Sequence, residues 1–240
     1  MTLRVSVVVA AFNEVANLEP VVRELHAALL ALPAPPGPDA SFAHELLIID
    51  DGSSDGTGAL ADRLAAELPG IRVIHFGVNR GLGAVYRTGF AEARRDLLIF
   101  YPADGQFESS ILHDFYPRMA DHDLVLGYLP RRDKSTLAKI LSGLERFLYR
   151  ILFGYMPRFQ GLMMLRRAVL ADLDLDLQSR DRSWVVVMEM ILQVHRRGYR
   201  VISVPTTVKP RLSGESKVNN LRNIWINLVQ TAALRRTFRR

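Results

Sequence analysis

A chain of 240 residues with 49% hydrophobic content can bury one sizeable core, as a single domain or a domain with an appendage. It has no cysteine, which excludes a disulfide framework and a thiolate metal site. The net charge of +6 is unevenly placed: Arg131–Arg167 carries nine basic residues against Asp133 and Glu145, and Arg235, Arg236, Arg239 and Arg240 close the chain, a pattern open to a membrane surface, a pyrophosphate, a nucleic acid or a plain solvated face.

Met1-Thr2-Leu3-Arg4 leads straight into Val5–Ala10, a β-branched run that predicts a first strand covered on both faces rather than a signal peptide. Leu18, Val21, Val22, Leu25, Ala28, Leu29 and Leu32 then recur at helical spacing, with Asn17 as the expected N-cap. The proline-rich stretch Pro33–Pro38 cannot continue that helix and reads as a surface loop. Glu45–Asp50 is the second strand and Thr57–Leu68 the second helix, stopped by Pro69-Gly70. A third strand covers Arg72–Phe76, and a glycine-bounded loop, Gly77–Gly83, precedes a helix over Ala84–Arg94. Asp96–Tyr101 and Leu124–Gly127 are the fourth and fifth strands. Strand and helix alternating through short links predict an α/β fold with a largely parallel sheet.

In the second half, apolar residues from Leu137 to Tyr155 recur at steps of three and four, with Lys139, Arg146 and Arg150 on another face. Such a basic amphipathic helix suits either a membrane interface or packing against the core. Ser183–His195 is apolar enough to be a buried helix, with Gly198 as its stop, and Glu189 within it needs a partner or a raised pKa. Its first reading is structural and its second catalytic. Arg200–Pro205 is a late strand, and Leu221–Leu234 a final apolar helix ending in arginines. His75, His113 and His195 lack metal-ligand spacing and read as incidental. No uninterrupted apolar run approaches the length of a membrane span.

The most informative stretch is Leu46–Thr57, where an apolar strand runs into Asp50-Asp51 and a Gly/Ser turn. Acids at the C-terminal edge of a strand suit hydrogen-bond donors on a base or ribose, while ordinary turn chemistry is the structural alternative. The loops after the first, second and fourth strands converge on that edge in a parallel sheet. They carry Ala11-Phe12-Asn13-Glu14, Asp50-Asp51 and Pro102-Ala103-Asp104-Gly105-Gln106-Phe107. An aromatic ring, several carboxylates and a glutamine would line one crevice, and oxygen ligands of this kind suit magnesium or manganese.

Phe12-Asn13-Glu14, Asp50–Thr57, Asn79-Arg80-Gly81-Leu82-Gly83 and Asp104-Gly105-Gln106, in that order, resemble the family-2 glycosyltransferases, nearest to the dolichyl- or polyprenyl-phosphate mannose and glucose synthase branch. The resemblance implies a single-domain, GT-A-like nucleotide-diphospho-sugar transferase with amphipathic C-terminal helices. Residues 1–130 would form the nucleotide-sugar half and 131–240 the acceptor half. It implies that Ala10, Phe12, Glu14, Asp50, Asp51, Gly81 and Asp104 line the donor site. Asp104 would bind Mg2+ or Mn2+ with Gln106 beside it, and both would serve catalysis. Arg131 or Arg132 would meet the acceptor phosphate, while Arg211, Ser216 and Lys217 in a Gly-x-Ser-Lys element would close over the diphosphate or acceptor phosphate. Two positions depart from the pattern: Ala10 stands for a common proline, and Pro102 for the first acid of the Asp-x-Asp element.

The implied reaction is an inverting transfer of a hexose from a GDP- or UDP-sugar to a polyprenyl phosphate. The implied place is the cytoplasmic face of a membrane, held by the surface or by an integral membrane partner. An inactive or regulatory sugar-nucleotide-binding module, or transfer to a non-lipid acceptor, are the alternatives. A sugar-1-phosphate nucleotidyltransferase would need a glycine-rich basic loop where Ala11-Phe12-Asn13-Glu14 stands. Nucleic acid is not expected as a partner, because the crevice is acidic and the basic loops lack interleaved aromatics.

Overall fold

The computed structural model describes residues 2–33, 43–130, 150–151, 153–155, 158–159, 161–178 and 185–209. The elements in order are β1 (Val5–Ala11), α1 (Val15–Leu30), β2 (Glu45–Asp50), α2 (Thr57–Glu67), β3 (Ile71–His75), α3 (Leu82–Glu92) and β4 (Leu97–Pro102). They continue with α4 (Ile111–Phe115), a 3-10 turn (Tyr116–Ala120), β5 (Leu124–Tyr128), β6 (Met163–Arg166), α5 (Arg167–Leu170), α6 (Val185–Arg196) and β7 (Val201–Pro205). The expected helices over 137–155 and 221–234 lie wholly or mostly outside the described residues, as does the proline-rich stretch after Pro33.

One seven-stranded sheet runs in the order β3-β2-β1-β4-β6-β5-β7. β6 is antiparallel to both β4 and β5, and the other pairings are parallel, so a single strand opposes the remaining six. The order reverses at β1: β2 and β3 lie to one side and β4 to the other. That is the switch point at which open α/β sheets hold ligands beyond the carboxyl ends of their strands.

Alternation along each strand feeds two apolar layers. Val5, Val7 and Val9 of β1 join Leu46, Ile48, Leu97 and Ile99 beneath α1, α2 and α4. Val8, Leu47, Ile49, Leu98 and Phe100 face α3 and α6 on the opposite side. Burial on both faces accounts for the near-continuous apolar runs of the central strands.

β7 falls within the expected Arg200–Pro205 strand, but β6 departs from expectation. β6 has no counterpart in the predicted elements; it is four residues long and is ordered by pairing with strands on both sides. The start of α1 is a second correction. Asn17 is not the N-cap: the helix begins at Val15, and Asn17 sits buried in its first turn, donating from Nδ2 to Glu14 Oε2 at 2.7 Å. Capping comes from another loop instead. Asp55 Oδ2 accepts the Val15 N–H at 3.2 Å, and Thr57 Oγ1 accepts the Glu14 N–H at 2.9 Å.

Candidate active site

Three loops meet at the carboxyl ends of β1, β2 and β4, and the β1 backbone stitches them together. Asp51 N donates to Ala11 O at 2.8 Å, while Ala103 N donates to Ala10 O at 3.1 Å. Asp51 and Asp104 are therefore fixed on opposite sides of the end of β1. Asp50, Asp51 and Asp104 are all buried. Carboxylates withdrawn from water need hydrogen-bond donors, and the surrounding loops supply them.

Asp51 is held by the loop after β3. Its Oδ1 accepts the Arg80 N–H at 2.6 Å, its Oδ2 accepts Asn79 Nδ2 at 2.9 Å, and Gly81 N donates to both oxygens. The turn that follows packs closely on the same loop. Gly52 has φ 72°, and a Cβ there would stand 2.4 Å from the Val78 carbonyl carbon, so only glycine fits. Asp51 thus serves as the post on which residues 79–81 are built, a role that motif order alone does not reveal.

Asp50 has a different set of partners. Its Oδ1 accepts the Ser53 N–H at 3.0 Å, and its Oδ2 lies 3.1 Å from His75 Nδ1. The far nitrogen of that ring, Nε2, lies 3.0 Å from Asp62 Oδ1 on α2. The two carboxylates hold the imidazole above its ordinary pKa, Asp62 contributing more than Asp50. His75 is therefore not incidental. The β2–β3 register places it opposite Asp50, and residues 25 apart in sequence carry no local signal of that pairing.

The first loop is gripped by the second. Asn13, at φ 54°, donates its N–H to Ser53 Oγ and accepts from Ser54 N, both at 3.0 Å. Thr57 Oγ1 takes the Glu14 N–H while donating to Asp55 Oδ1 at 2.5 Å. Most of Asp50–Thr57 is thus framework for Phe12 and Glu14, both of which are half-buried at the crevice.

On the opposite wall, Pro102 ends β4 as the register partner of Ala10. Asp104 follows the turn, its Oδ1 accepting the Gln106 N–H at 3.1 Å. Gln106 is half-buried, and its carbonyl accepts the Lys209 N–H at 2.7 Å. Lys209 Nζ also pairs with Glu108 at 3.1 Å, so the chain leaving β7 is tied to the Asp104 loop. Tyr101 O–H donates to Phe107 O at 2.5 Å, and burial raises the pKa of this phenol. Arg131, Arg132, Arg211, Ser216 and Lys217 lie outside the described residues.

Among the described residues, no cluster of three or more His, Asp or Glu side chains forms a self-sufficient metal site. That donor set still fits Mg2+ or Mn2+ at a diphosphate, because such ions take one or two carboxylates and complete their shell with phosphate oxygens and water. Asp104 is the carboxylate that the resemblance assigns to this role, and Pro102 adds no side-chain ligand.

Glu189 is half-buried on α6, with Gln193 Nε2 at 3.5 Å. Burial raises its pKa, opposed by the charge of Arg87. The groups acting on it come from α3, α6 and residues 174–176, not from the loops after β1, β2 and β4. Gln193 bridges to the backbone of Asp174 in both directions, at 2.7 and 2.8 Å.

The model of glycosyl transferase family 2 matches residues 6–174, which contain the loops after β1, β2, β3 and β4. The chain belongs to glycosyl transferase family 2. Relatives of the family agree over nearly its whole length. An undecaprenyl-phosphate mannosyltransferase of Micrococcus luteus is 30% identical over 230 residues, 90% of this chain and 88% of the relative. A dolichol-phosphate mannosyltransferase of Saccharomyces cerevisiae is 27% identical, over 91% and 82% of the two chains. Among solved structures, glucosyl-3-phosphoglycerate synthase from Mycobacterium tuberculosis, with Mn2+ and UDP, superposes with a TM-score of 0.69 at 18% identity, covering 97% and 80% of the chains. A mannosyltransferase from Pyrobaculum calidifontis, in complex with GDP-Man and Mn2+, gives 0.62 at 18% identity, covering 96% and 65%. At these identities the structural likeness establishes the fold, and the family match establishes a sugar transferase.

Proposed function

We propose that this family-2 enzyme transfers a hexose from a nucleoside-diphosphate sugar to a polyprenyl phosphate, with inversion at the anomeric carbon. The observation that carries the reading is the 30% identity to the undecaprenyl-phosphate mannosyltransferase, which extends through most of both chains. The crevice chemistry supports it: buried acids and the Phe12 ring stand at the switch point of the sheet, where a base and ribose would lie. In this reading Ala10, Phe12, Glu14, Asp50, Asp51 and Gly81 hold the nucleotide. Asp104, with Gln106 beside it, holds Mg2+ or Mn2+, which when bound would neutralise charge on the diphosphate.

The attacking atom is an oxygen of the acceptor phosphate. Its bond to the anomeric carbon forms as the bond to the nucleoside diphosphate breaks, yielding a polyprenyl-phosphate hexose. The nucleophile is already ionised, so no strong general base is needed, consistent with a structural Glu189. Residues 131–240 form the acceptor side, with Arg131 or Arg132 on the acceptor phosphate. Arg211, Ser216 and Lys217 close over the diphosphate or acceptor phosphate. Among the described residues no helix is long and apolar enough to cross a membrane. The lipid acceptor and the basic faces favour peripheral attachment at the cytoplasmic face, on lipid or an integral partner.

The test is incubation with labelled GDP-mannose or UDP-glucose, a short polyprenyl phosphate, and Mg2+ or Mn2+. Label appearing in the lipid phase supports the reading. Transfer only to a soluble acceptor overturns the choice of lipid. Pro102 favours a second reading, a sugar-nucleotide binder without transferase activity, because it removes a side-chain oxygen from the metal wall. Donor binding by calorimetry without transfer to any acceptor would establish that one.

A further inference from the structure

His75 stands on the outer side of the donor wall, yet a continuous line of hydrogen bonds connects it to the crevice. Its Nδ1 meets Asp50 Oδ2 at 3.1 Å; Asp50 Oδ1 accepts Ser53 N at 3.0 Å; Ser53 Oγ accepts Asn13 N at 3.0 Å. Asn13 lies between Phe12 and Glu14. α2 lies close against this pair: a Cβ at Gly58 would come within 2.7 Å of Asp50 Oδ2 and 3.3 Å of His75 Nδ1, so the Asp50 carboxylate would have to shift to admit it. The free side of the ring is also engaged, by Asp62 at 3.0 Å.

Two carboxylate oxygens, one on each ring nitrogen, call for two N–H donors, which only the imidazolium provides. We infer that His75 is a positioning residue of the donor site: as an imidazolium it clamps Asp50, and through Asp50 and Ser53 it sets the loop that carries Phe12 and Glu14. The inference rests on the reading of this crevice as a sugar-nucleotide site. Loss of the ring proton leaves one donor for two carboxylates. It also leaves the charge of buried Asp50 without a cation, beside a crevice that must accept an anionic nucleotide. Donor affinity should therefore fall as pH rises through the His75 titration, while turnover at saturating donor stays constant.

The charged groups facing the ring are Asp50 from β2 and Asp62 from α2, and both favour the cation. Arg80, on the loop after β3, stacks instead on the neighbouring Phe76 ring at 4.6 Å. The histidine thus titrates above its ordinary range, where the change can be followed near neutral pH.

The experiment is calorimetric titration of GDP-mannose and UDP-glucose with Mn2+, at about pH 6 and about pH 8.5, on the full chain and its variants. Wild type should bind more weakly at the higher pH by about tenfold, the worth of one charge-assisted hydrogen bond. His75→Asn, whose amide donates to Asp50 without titrating, should bind with little pH dependence. His75→Phe should bind weakly at both values. Asp62→Asn, which leaves the buried contact intact, should move the midpoint to lower pH, because one of the two groups favouring the cation is gone. A shared pH profile for wild type and His75→Asn, or an unmoved midpoint in Asp62→Asn, overturns the inference alone. Wild type that binds neither donor at either pH overturns the functional reading and this inference with it.

Discussion

The Gly81 N–H is shared between the two carboxylate oxygens of Asp51, 3.2 Å from Oδ1 and 3.0 Å from Oδ2. With Arg80 N and Asn79 Nδ2 on the same group, one buried acid organises the loop that leads into α3. Removing it leaves several donors unanswered, each worth about 1–3 kcal/mol when stranded out of water. Asp51→Ala should lower stability by about 3 kcal/mol, read from urea unfolding, and weaken donor binding. Asp51→Asn should recover only part of the loss, since an amide nitrogen meets N–H groups where an oxygen is needed. Wild-type stability and affinity in Asp51→Ala would show the loop to be held by other means.

Asp104 and Pro102 allow opposite tests of the metal wall. Asp104→Asn should abolish Mn2+-dependent donor binding and lower transfer by about a hundredfold or more, on the scale of lost electrostatic stabilisation of a leaving group. Pro102→Asp should tighten Mn2+ binding, followed by titration calorimetry with nucleoside diphosphate present. Unchanged metal affinity in both variants would move the metal away from this wall.

Gly58→Ala adds one methyl group between α2 and the Asp50–His75 pair, at a spacing that real Cβ atoms do not adopt. The neighbours must shift, a strain of about 1–3 kcal/mol. Donor affinity should fall while the helical signal in circular dichroism is kept. A variant with full affinity would show that the wall tolerates movement of Asp50.

His44 makes the fold sensitive to acid. Its Nδ1 accepts the Val5 N–H at 3.0 Å, which requires a ring unprotonated at that nitrogen. Burial lowers its pKa, with help from the charge of Arg95. The folded state then binds this proton less readily than the unfolded chain, so stability is full above the unfolded pKa near 6.5 and is lost as pH falls toward the depressed folded value. His44→Gln, which keeps an acceptor for Val5, should show a smaller drop in Tm than wild type between about pH 7 and pH 5. Parallel Tm curves would remove His44 from the acid response.

The parts of this fold legible in sequence are those with local causes. The β-branched run of β1 and the apolar run of β2 announce themselves because both faces are buried. The acids at Asp50, Asp51 and Asp104 could be located at strand ends for the same reason. β6 could not: four residues, Met163–Arg166, become a strand only because β4 and β5 flank them. Asn17 has the chemistry of a cap, but Asp55 and Thr57 reach the helix start from another loop and displace it from that role.

By itself, the sequence determined which residues reach the sheet edge: apolar periodicity sets the strands, with Asp50 as the last residue of β2, and turn chemistry places Phe12, Glu14, Asp51 and Asp104 just beyond the strand ends. Only the tertiary structure decided what those acids do first. Asp51 binds a loop about 30 residues away, and Asp50 binds a histidine delivered by the β2–β3 register. A buried carboxylate must take whatever donors the fold brings to it, and strand register, which no local pattern encodes, chooses them.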